Sequence, residues 1–182
     1  MTNILVIAAH PDDEIIGCGG TIAKHVEAGD IVNTIIVGEG ATSRLASNDQ
    51  RAVSELSECA KLAAEVLGAN QPIMLGYTDN RLDDYPLLEI VQSIETELAT
   101  LQPAIIYTHH GSDLNIDHRI AFQAVMTAAR AEKDCSIQNI YSFEVPSSTE
   151  WALNAFEGNF VPNYFVNIDG FEKKKLKALK QY

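Results

Sequence analysis

NILVIAAHPDDE, residues 3–14, joins a continuous apolar run directly to a histidine and three carboxylates. The apolar part, residues 3–9, has the composition of a central parallel strand that is covered on both faces. The charged part then lies at the carboxyl end of that strand, where open α/β sheets bind their ligands. These twelve residues therefore predict an α/β fold with a polar site at one edge of its sheet.

Strand-like and helical segments alternate along the rest of the chain. Apolar runs predict strands at residues 31–37, 104–108, 137–145 and 165–168, with a short run at 72–75. Amphipathic stretches predict helices at residues 19–28, 49–67, 87–101 and 117–130, and the chain stops inside a further helical stretch. We therefore expect a three-layer α/β/α sandwich with a mostly parallel, Rossmann-like sheet, in which the polar loops after the strands share one rim.

Length and composition exclude several classes of protein. The 182 residues fit one domain, and 46% apolar with 21% charged residues is ordinary for a globular chain. A net charge of −12 argues against nonspecific binding to nucleic acid or anionic membranes. The longest apolar stretch, residues 4–9, is too short to span a membrane, and the N-terminus lacks a signal-peptide pattern. Three widely spaced cysteines without a CxxC motif favour a reducing cytoplasm: Cys18, Cys59 and Cys135.

The segment after the first strand has the composition of a metal site. Asp12 and Asp13 would repel each other unless a cation or strong hydrogen bonds offset the cost. Pro11 fixes the chain direction, so that His10 and Asp13 can turn toward a common point. One imidazole nitrogen and one carboxylate oxygen are two of the ligands that a catalytic zinc needs.

A second polar segment follows the strand predicted at 104–108. THHGSDLNIDH, residues 108–118, offers three histidines and two aspartates. If both segments lie on one rim, they form a two-histidine, one-carboxylate metal site with an open position. His109 and His110, taken singly, could instead cap a helix. The fifth histidine, His25, lies inside the first predicted helix, where we expect it to be packed or to face solvent.

These residues resemble the LmbE/PIG-L-like zinc N-deacetylases. AHPDDE is the main motif of that family, and the resemblance covers essentially the whole chain. Residues 110–119, HGSDLNIDHR, look closest to members that act on acetylated sugars or nucleotide-linked sugars. Further matches are GCGGTIA at 17–23, Arg51 with Glu55 and Leu56, GYTD at 76–79 and NIDH at 115–118.

The resemblance implies one zinc per chain, held by His10, Asp13 and His118. Asp12, beside a ligand, would be the general base, taking a proton from the attacking water and returning it to the leaving amine. Zinc acidifies water enough to make it a nucleophile at neutral pH. Glu14 is expected to orient His10. The implied reaction removes an acetyl group from an N-acetylated amino sugar or sugar conjugate.

One position departs from the family pattern. Many members have a histidine, thought to polarise the carbonyl, where this chain has Asn115. Either the Asn115 amide polarises the carbonyl alone, or His109 or His110 supplies a cation from nearby.

Four further residues are expected to contact substrate. Arg51 and Asp79 match family positions that hold sugar hydroxyls, although Asp79 could be a loop cap and Arg51 part of a surface ion pair. Arg44 and Arg81 lie in rim loops, where they would anchor a phosphate or nucleotide group.

Other interpretations fit the residues less well. The glycines of GCGG come too late after the first strand for a dinucleotide-binding turn. A phospho-receiver domain does not need His10 or His118. Iron oxygenases use this ligand set, but they normally carry it on antiparallel barrels. The main alternative is an inactive sugar-binding or oligomer-forming relative. Relatives continue past Lys180 into further helix, so we expect residues 1–182 to lack the helical end of the domain. The family also implies a homo-oligomer, a trimer or hexamer.

Overall fold

A five-stranded sheet lies at the centre of the computed structural model, which describes residues 1–42, 50–130, 135–152 and 158–182. Every strand pairs in parallel with its neighbours, in the order β3-β2-β1-β4-β5. The strands are β1 (Asn3–Ala8), β2 (Ile31–Gly38), β3 (Ile73–Tyr77), β4 (Ile105–His109) and β5 (Asn139–Phe143).

Helices cover both faces of this sheet. They are α1 (Asp13–Glu27), α2 (Gln50–Leu67), α3 (Leu87–Leu101), α4 (Ile116–Ala128) and α5 (Glu172–Leu179). Alternate residues of β1 point to opposite layers, with Ile4 and Val6 packed against α1, α2 and α5, and Leu5 and Ile7 packed against α3 and α4. The predicted three-layer α/β/α sandwich is confirmed. Among the described residues, no helix combines the length and apolar character needed to cross a membrane.

Two predicted boundaries and one predicted strand were wrong. Helix α1 begins at Asp13 rather than at residue 19, because its glycines are packing positions inside the helix and not its start. Residues 165–168 form no strand, although their composition is strand-like. Helix α5 ends at Leu179, so the last residues, up to Tyr182, are not helical.

The topology places the site. Strand order reverses between β1 and β4, which are hydrogen-bonded neighbours although far apart in sequence. In open α/β sheets, ligands bind beyond the carboxyl ends of the strands at this switch point. The segments that follow β1 and β4 are the two that carry the histidines.

Candidate metal centre

The two polar segments meet beyond the carboxyl ends of β1 and β4. His10, Asp13 and His118 each offer one ligand atom, and these atoms all lie within 4.8 Å of one another. His118 comes from the first turn of α4 and Asp13 from the first residue of α1. The structure thus brings together the three predicted ligands in a group that could hold a metal ion.

Both nitrogens of the His10 imidazole face carboxylates. Nδ1 lies 3.4 Å from Asp13 Oδ2, whereas Nε2 lies 3.0 Å from Asp117 Oδ2 and 3.2 Å from Asp79 Oδ1. Burial lowers the pKa of His10, but the hydrogen bonds to Asp117 and Asp13 outweigh it and raise the pKa to about 10. The carboxylates on the Nε2 side fix the ring orientation, as they do around metal-binding histidines.

His118 has the same two-sided arrangement. Its Nε2 lies 3.1 Å from Asp13 Oδ2, and its Nδ1 lies 3.2 Å from Asp113 Oδ2. Asp113 in turn accepts hydrogen bonds from the hydroxyls of Ser148 at 2.7 Å and Thr149 at 2.6 Å. Burial raises the pKa of Asp113, but the hydrogen bond to His118 and the charge of that residue outweigh burial and lower the pKa to about 2. Asp113 therefore stays ionised and holds the His118 ring.

Asp12 adopts a backbone conformation that residues with side chains rarely occupy. Its φ is 104° and its ψ is −32°, a strain of about 1–3 kcal/mol that the surrounding hydrogen bonds must hold. Burial, and then the negative charge of Asp13, raise the pKa of Asp12 to about 7. A carboxyl group with this pKa, directly beside a ligand residue, is suited to proton transfer near neutral pH.

The three candidates for polarising a carbonyl differ in what they can donate. His109 is fully buried, its Nε2 accepts a hydrogen bond from Ala9 N–H at 2.8 Å, and burial lowers its pKa to about 3. Burial also lowers the pKa of His110, whose Nδ1 accepts from Ser112 N–H. Neither histidine therefore supplies a cation at neutral pH, although His110 Nε2–H remains a neutral donor.

Asn115 caps helix α4. Its Oδ1 accepts a hydrogen bond from Asp117 N–H at 2.8 Å. With the oxygen engaged in this way, the amide NH₂ is the part of Asn115 that can donate a hydrogen bond.

The predicted substrate residues separate into two groups. Asp79 is buried within the centre, beside His10, and its N–H donates to Glu39 Oε2 at 3.0 Å. Arg51 and Arg81 are exposed and form surface ion pairs, at 2.8 Å with Glu55 and at 2.6 Å with Asp84. Arg44 lies outside the described residues.

The expectation that Glu14 orients His10 is wrong, because the Glu14 side chain bonds other groups. Its two oxygens accept from Asp12 N–H at 3.0 Å and from the Tyr182 hydroxyl at 2.6 Å, because the first turn of α1 directs the side chain toward the C-terminal segment. Asp113 and Asp117 perform the orienting role that was assigned to Glu14, one for each histidine. His25, which we expect to be packed or to face solvent, is half-buried, and its ring bonds Asp30 and Tyr107.

Fold and site together define a class: parallel α/β proteins with a His–Asp cluster, able to hold a metal ion, beyond the ends of the central strands. Residues 5–129 match the family model described as PIG-L, GlcNAc-PI de-N-acetylase. This match covers more than half of the chain, and the chain belongs to that family.

Two relatives and one solved structure are similar over nearly the whole chain. The uncharacterized deacetylase YaiS of Escherichia coli K12 is 28% identical, covering 98% of this chain and 89% of that protein. The diacetylchitobiose deacetylase of Thermococcus kodakarensis is 29% identical, covering 98% of this chain and 68% of that protein. The structure of GalB, the 4-carboxy-2-hydroxymuconate hydratase of Pseudomonas putida KT2440, gives a TM-score of 0.78 at 25% identity, over 100% and 78% of the two chains.

Proposed function

We propose that this protein is a zinc-dependent hydrolase that removes the acetyl group from the N-acetyl of an amino sugar or sugar conjugate. The observation that carries the proposal is the grouping of His10, Asp13 and His118 at the switch point, with Asp12 beside them. The similarity to a diacetylchitobiose deacetylase supports the reaction and the substrate class.

The donor set suits zinc. Two imidazole nitrogens and one carboxylate oxygen are the protein ligands of many catalytic zinc sites, which keep a further position open for substrate or water. In each histidine, the ring nitrogen that would not bind zinc faces a carboxylate: Asp117 for His10 and Asp113 for His118. Zinc-binding histidines generally have such a partner. A zinc ion held there supplies Lewis acidity, which polarises an amide carbonyl and makes water more acidic.

The remaining steps belong to side chains of this chain. Asp12 accepts the proton of the attacking water and returns it to the nitrogen of the leaving amine. The developing negative charge on the carbonyl oxygen is stabilised by neutral hydrogen-bond donors, for which Asn115 NH₂ and His110 Nε2–H are the candidates.

Recognition of the sugar is assigned to the rim. Asp79 and Arg51 would hold hydroxyl groups, and Arg81 with Arg44 would hold a phosphate if the substrate is nucleotide-linked. The exposed position of Arg81, two residues after Asp79, is compatible with that role once it exchanges Asp84 for a phosphate.

The similarity to a hydratase favours one second candidate, the addition of water to an unsaturated tricarboxylic acid. The same metal-binding residues and the same base could serve that reaction, because both activate water. The two candidates differ in product, acetate against a hydroxy acid, so an assay for each product separates them.

The test measures acetate release from acetylated amino sugars, diacetylchitobiose and UDP-linked N-acetyl sugars, using zinc-loaded protein. We expect turnover of at least one sugar, close to one zinc per chain, and a loss of at least about 100-fold in kcat for Asp12→Ala with zinc retained. Asp83→Ala, at an exposed position of the same rim, should retain wild-type turnover.

Two results would reject the proposal. A protein that binds sugars and zinc but releases no acetate would be the inactive sugar-binding relative. Full activity of Asp12→Ala would remove Asp12 as the base.

We also propose that the chain forms a homo-oligomer. Val161, Tyr164 and Phe165 are more than half exposed on one segment beside the edge strand β5, and such an apolar surface is unusual on a monomer. Light scattering should give a multiple of the chain mass, and Phe165→Ser with Val161→Ser should shift it toward the monomer. A monomeric wild-type protein would exclude this assembly.

A further inference from the structure

The Asp12 backbone is held from both of its peptide groups. Its carbonyl oxygen accepts hydrogen bonds from the N–H groups of Ile15 and Ile16, both at 2.9 Å. Its own N–H donates to Glu14 Oε2 at 3.0 Å. The carbonyl contacts belong to the start of helix α1, so the contact on the N–H side is the one that selects the positive φ of 104°.

Glu14 is itself held by a residue far away in sequence. Its side chain is 3% exposed, and its second oxygen accepts a hydrogen bond from the Tyr182 hydroxyl at 2.6 Å, across 168 positions. A buried carboxyl group is costly unless its oxygens are hydrogen-bonded, and here both oxygens of Glu14 are. Removing the Tyr182 donor would therefore leave one Glu14 oxygen without that hydrogen bond. The side chain would then favour conformations that reach other donors and no longer contact Asp12 N–H.

Tyr182 reaches Glu14 because helix α5 packs against α1 and α2. A second hydrogen bond ties α5 to α1, since Lys175 Nζ in α5 donates to the Ile16 carbonyl in α1 at 2.7 Å. The Lys175 contact secures α5 without touching Glu14 or Asp12. The two contacts therefore separate the docking of α5 from the support of the Asp12 backbone.

We propose that Tyr182 and Glu14 form a positioning pair that holds the Asp12 backbone in the conformation needed for proton transfer. This inference rests on the proposed role of Asp12 as the base. Neither member of the pair is a proposed metal ligand or a substrate contact, so the pair acts through Asp12 alone. A displacement of about 1 Å at a reacting group can cost roughly 100-fold in rate, so a partial relaxation of Asp12 should be visible in kcat.

The kinetic test uses the full chain loaded with zinc. In Tyr182→Phe we expect kcat to fall about tenfold, with KM and zinc content within about twofold of wild type. Glu14→Gln should retain at least about half of kcat, because an amide can accept from Asp12 N–H and donate to the Tyr182 oxygen. Glu14→Ala should lose at least as much as Tyr182→Phe.

Lys175→Met is the matched control. It removes the other contact between α5 and α1 and should leave kcat unchanged, even if it lowers the melting temperature as much as Tyr182→Phe does. If Lys175→Met and Tyr182→Phe lost the same amount of kcat, looser docking of α5 would explain the loss in both. That result would overturn the proposal. Wild-type kcat in Tyr182→Phe would overturn it as well.

Amide hydrogen exchange tests the pair without any turnover. The Asp12 N–H should exchange at least about tenfold faster in Tyr182→Phe, while amides in the middle of α1 keep their wild-type rates. Unchanged exchange at Asp12 would refute the positioning pair even in an active enzyme. Faster exchange in a protein that releases no acetate would uphold the pair and reject the proposed function.

Discussion

His10, a proposed metal ligand, has its imidazole ring oriented by carboxylates on one side. Its Nε2 is bonded to Asp117 and lies close to Asp79, so its Nδ1, on the Asp13 side, is the nitrogen left to act as a ligand. A carboxylate on the far nitrogen fixes the tautomer and makes the ligand nitrogen more basic. Asp117 is fully buried and also accepts from Leu82 N–H at 3.1 Å, so its position is determined by the fold as well.

Asp117→Asn should therefore weaken zinc binding by about 10–100-fold without unfolding the protein. The asparagine oxygen can still accept from Leu82 N–H, but a neutral amide supports the imidazole less than a carboxylate does. Competition with a zinc chelator measures the affinity. Asp84→Asn is the control, since Asp84 lies on the surface in an ion pair with Arg81. Equal affinities in wild type and Asp117→Asn would show that Asp117 does not support His10.

From the sequence, the proposed ligands could be predicted more readily than the carboxylates that orient them. His10 and Asp13 follow an apolar strand within one motif, so the pattern alone indicates that they share a site. Asp117 and His118 are adjacent in α4 and point about 100° apart, so only the folded helix shows Asp117 reaching His10 while His118 reaches Asp13. The sequence does give one sign of these orienting groups, because Asp113 and Asp117 lie just before His118. It does not show which histidine each of them contacts.

At the scale of elements, glycines decide how closely α1 approaches its neighbours. A Cβ on Gly17 would lie 2.3 Å from the Phe143 ring, and one on Gly20 would lie 2.7 Å from Ile168. The segment around Ile168 thus needs no strand pairing to be fixed, because it packs directly onto the helix. This packing explains why a strand-like composition at 165–168 gives no strand.

Gly17→Ala should destabilise the fold by about 1–3 kcal/mol, because the overlap with Phe143 exceeds the gain of about 1 kcal/mol from replacing a helical glycine. In a Phe143→Ala background the same substitution should become neutral or stabilising, since the ring is gone. Urea denaturation of the four proteins of this double-mutant cycle measures the coupling. A cost for Gly17→Ala that is the same in both backgrounds would show that Phe143 is not the obstacle.

The junction between α1 and β2 contributes a pH-dependent term to stability. Asp30 accepts from Thr2 N–H at 2.8 Å and faces His25 Nδ1 at 2.9 Å. The hydrogen bond from His25 lowers the pKa of Asp30 below its usual value near 3.8. A depressed carboxyl pKa stabilises the fold above pH 4, and this contribution is lost as the pH falls through the folded-state pKa.

Asp30→Asn should therefore flatten the acid side of the stability curve. The difference in unfolding free energy between wild type and variant should shrink as the pH falls from 5 to below 4, because the Asp30 carboxylate becomes protonated. Denaturant titrations across this range measure it, with the exposed Asp83→Asn as control. A difference that does not change between pH 5 and pH 3 would contradict the shift assigned to Asp30.

At the scale of the whole molecule, the site depends on strand order. Alternating apolar and amphipathic segments indicate a parallel sheet and a common rim, but they do not say which strands are neighbours. The pairing of β1 with β4 joins residues about 100 positions apart and brings His118 to Asp13. The proposed ligands therefore come from both halves of the fold, and a metal ion bound by them would link those halves.

Zinc should therefore stabilise the entire fold. A ligand that binds only the folded state at 100 times its Kd contributes about 2.7 kcal/mol, which corresponds to a rise of about 5–10 °C in Tm for a chain of this size. Calorimetry of metal-free protein titrated with zinc measures the shift, and a chelator should reverse it. The site variant His118→Ala should lose the shift, whereas the surface variant Asp84→Asn should keep it. A shift of the same size in His118→Ala would mean that zinc binds the folded chain elsewhere. Without the His118 imidazole, an ion at this site would lose its ligand from α4.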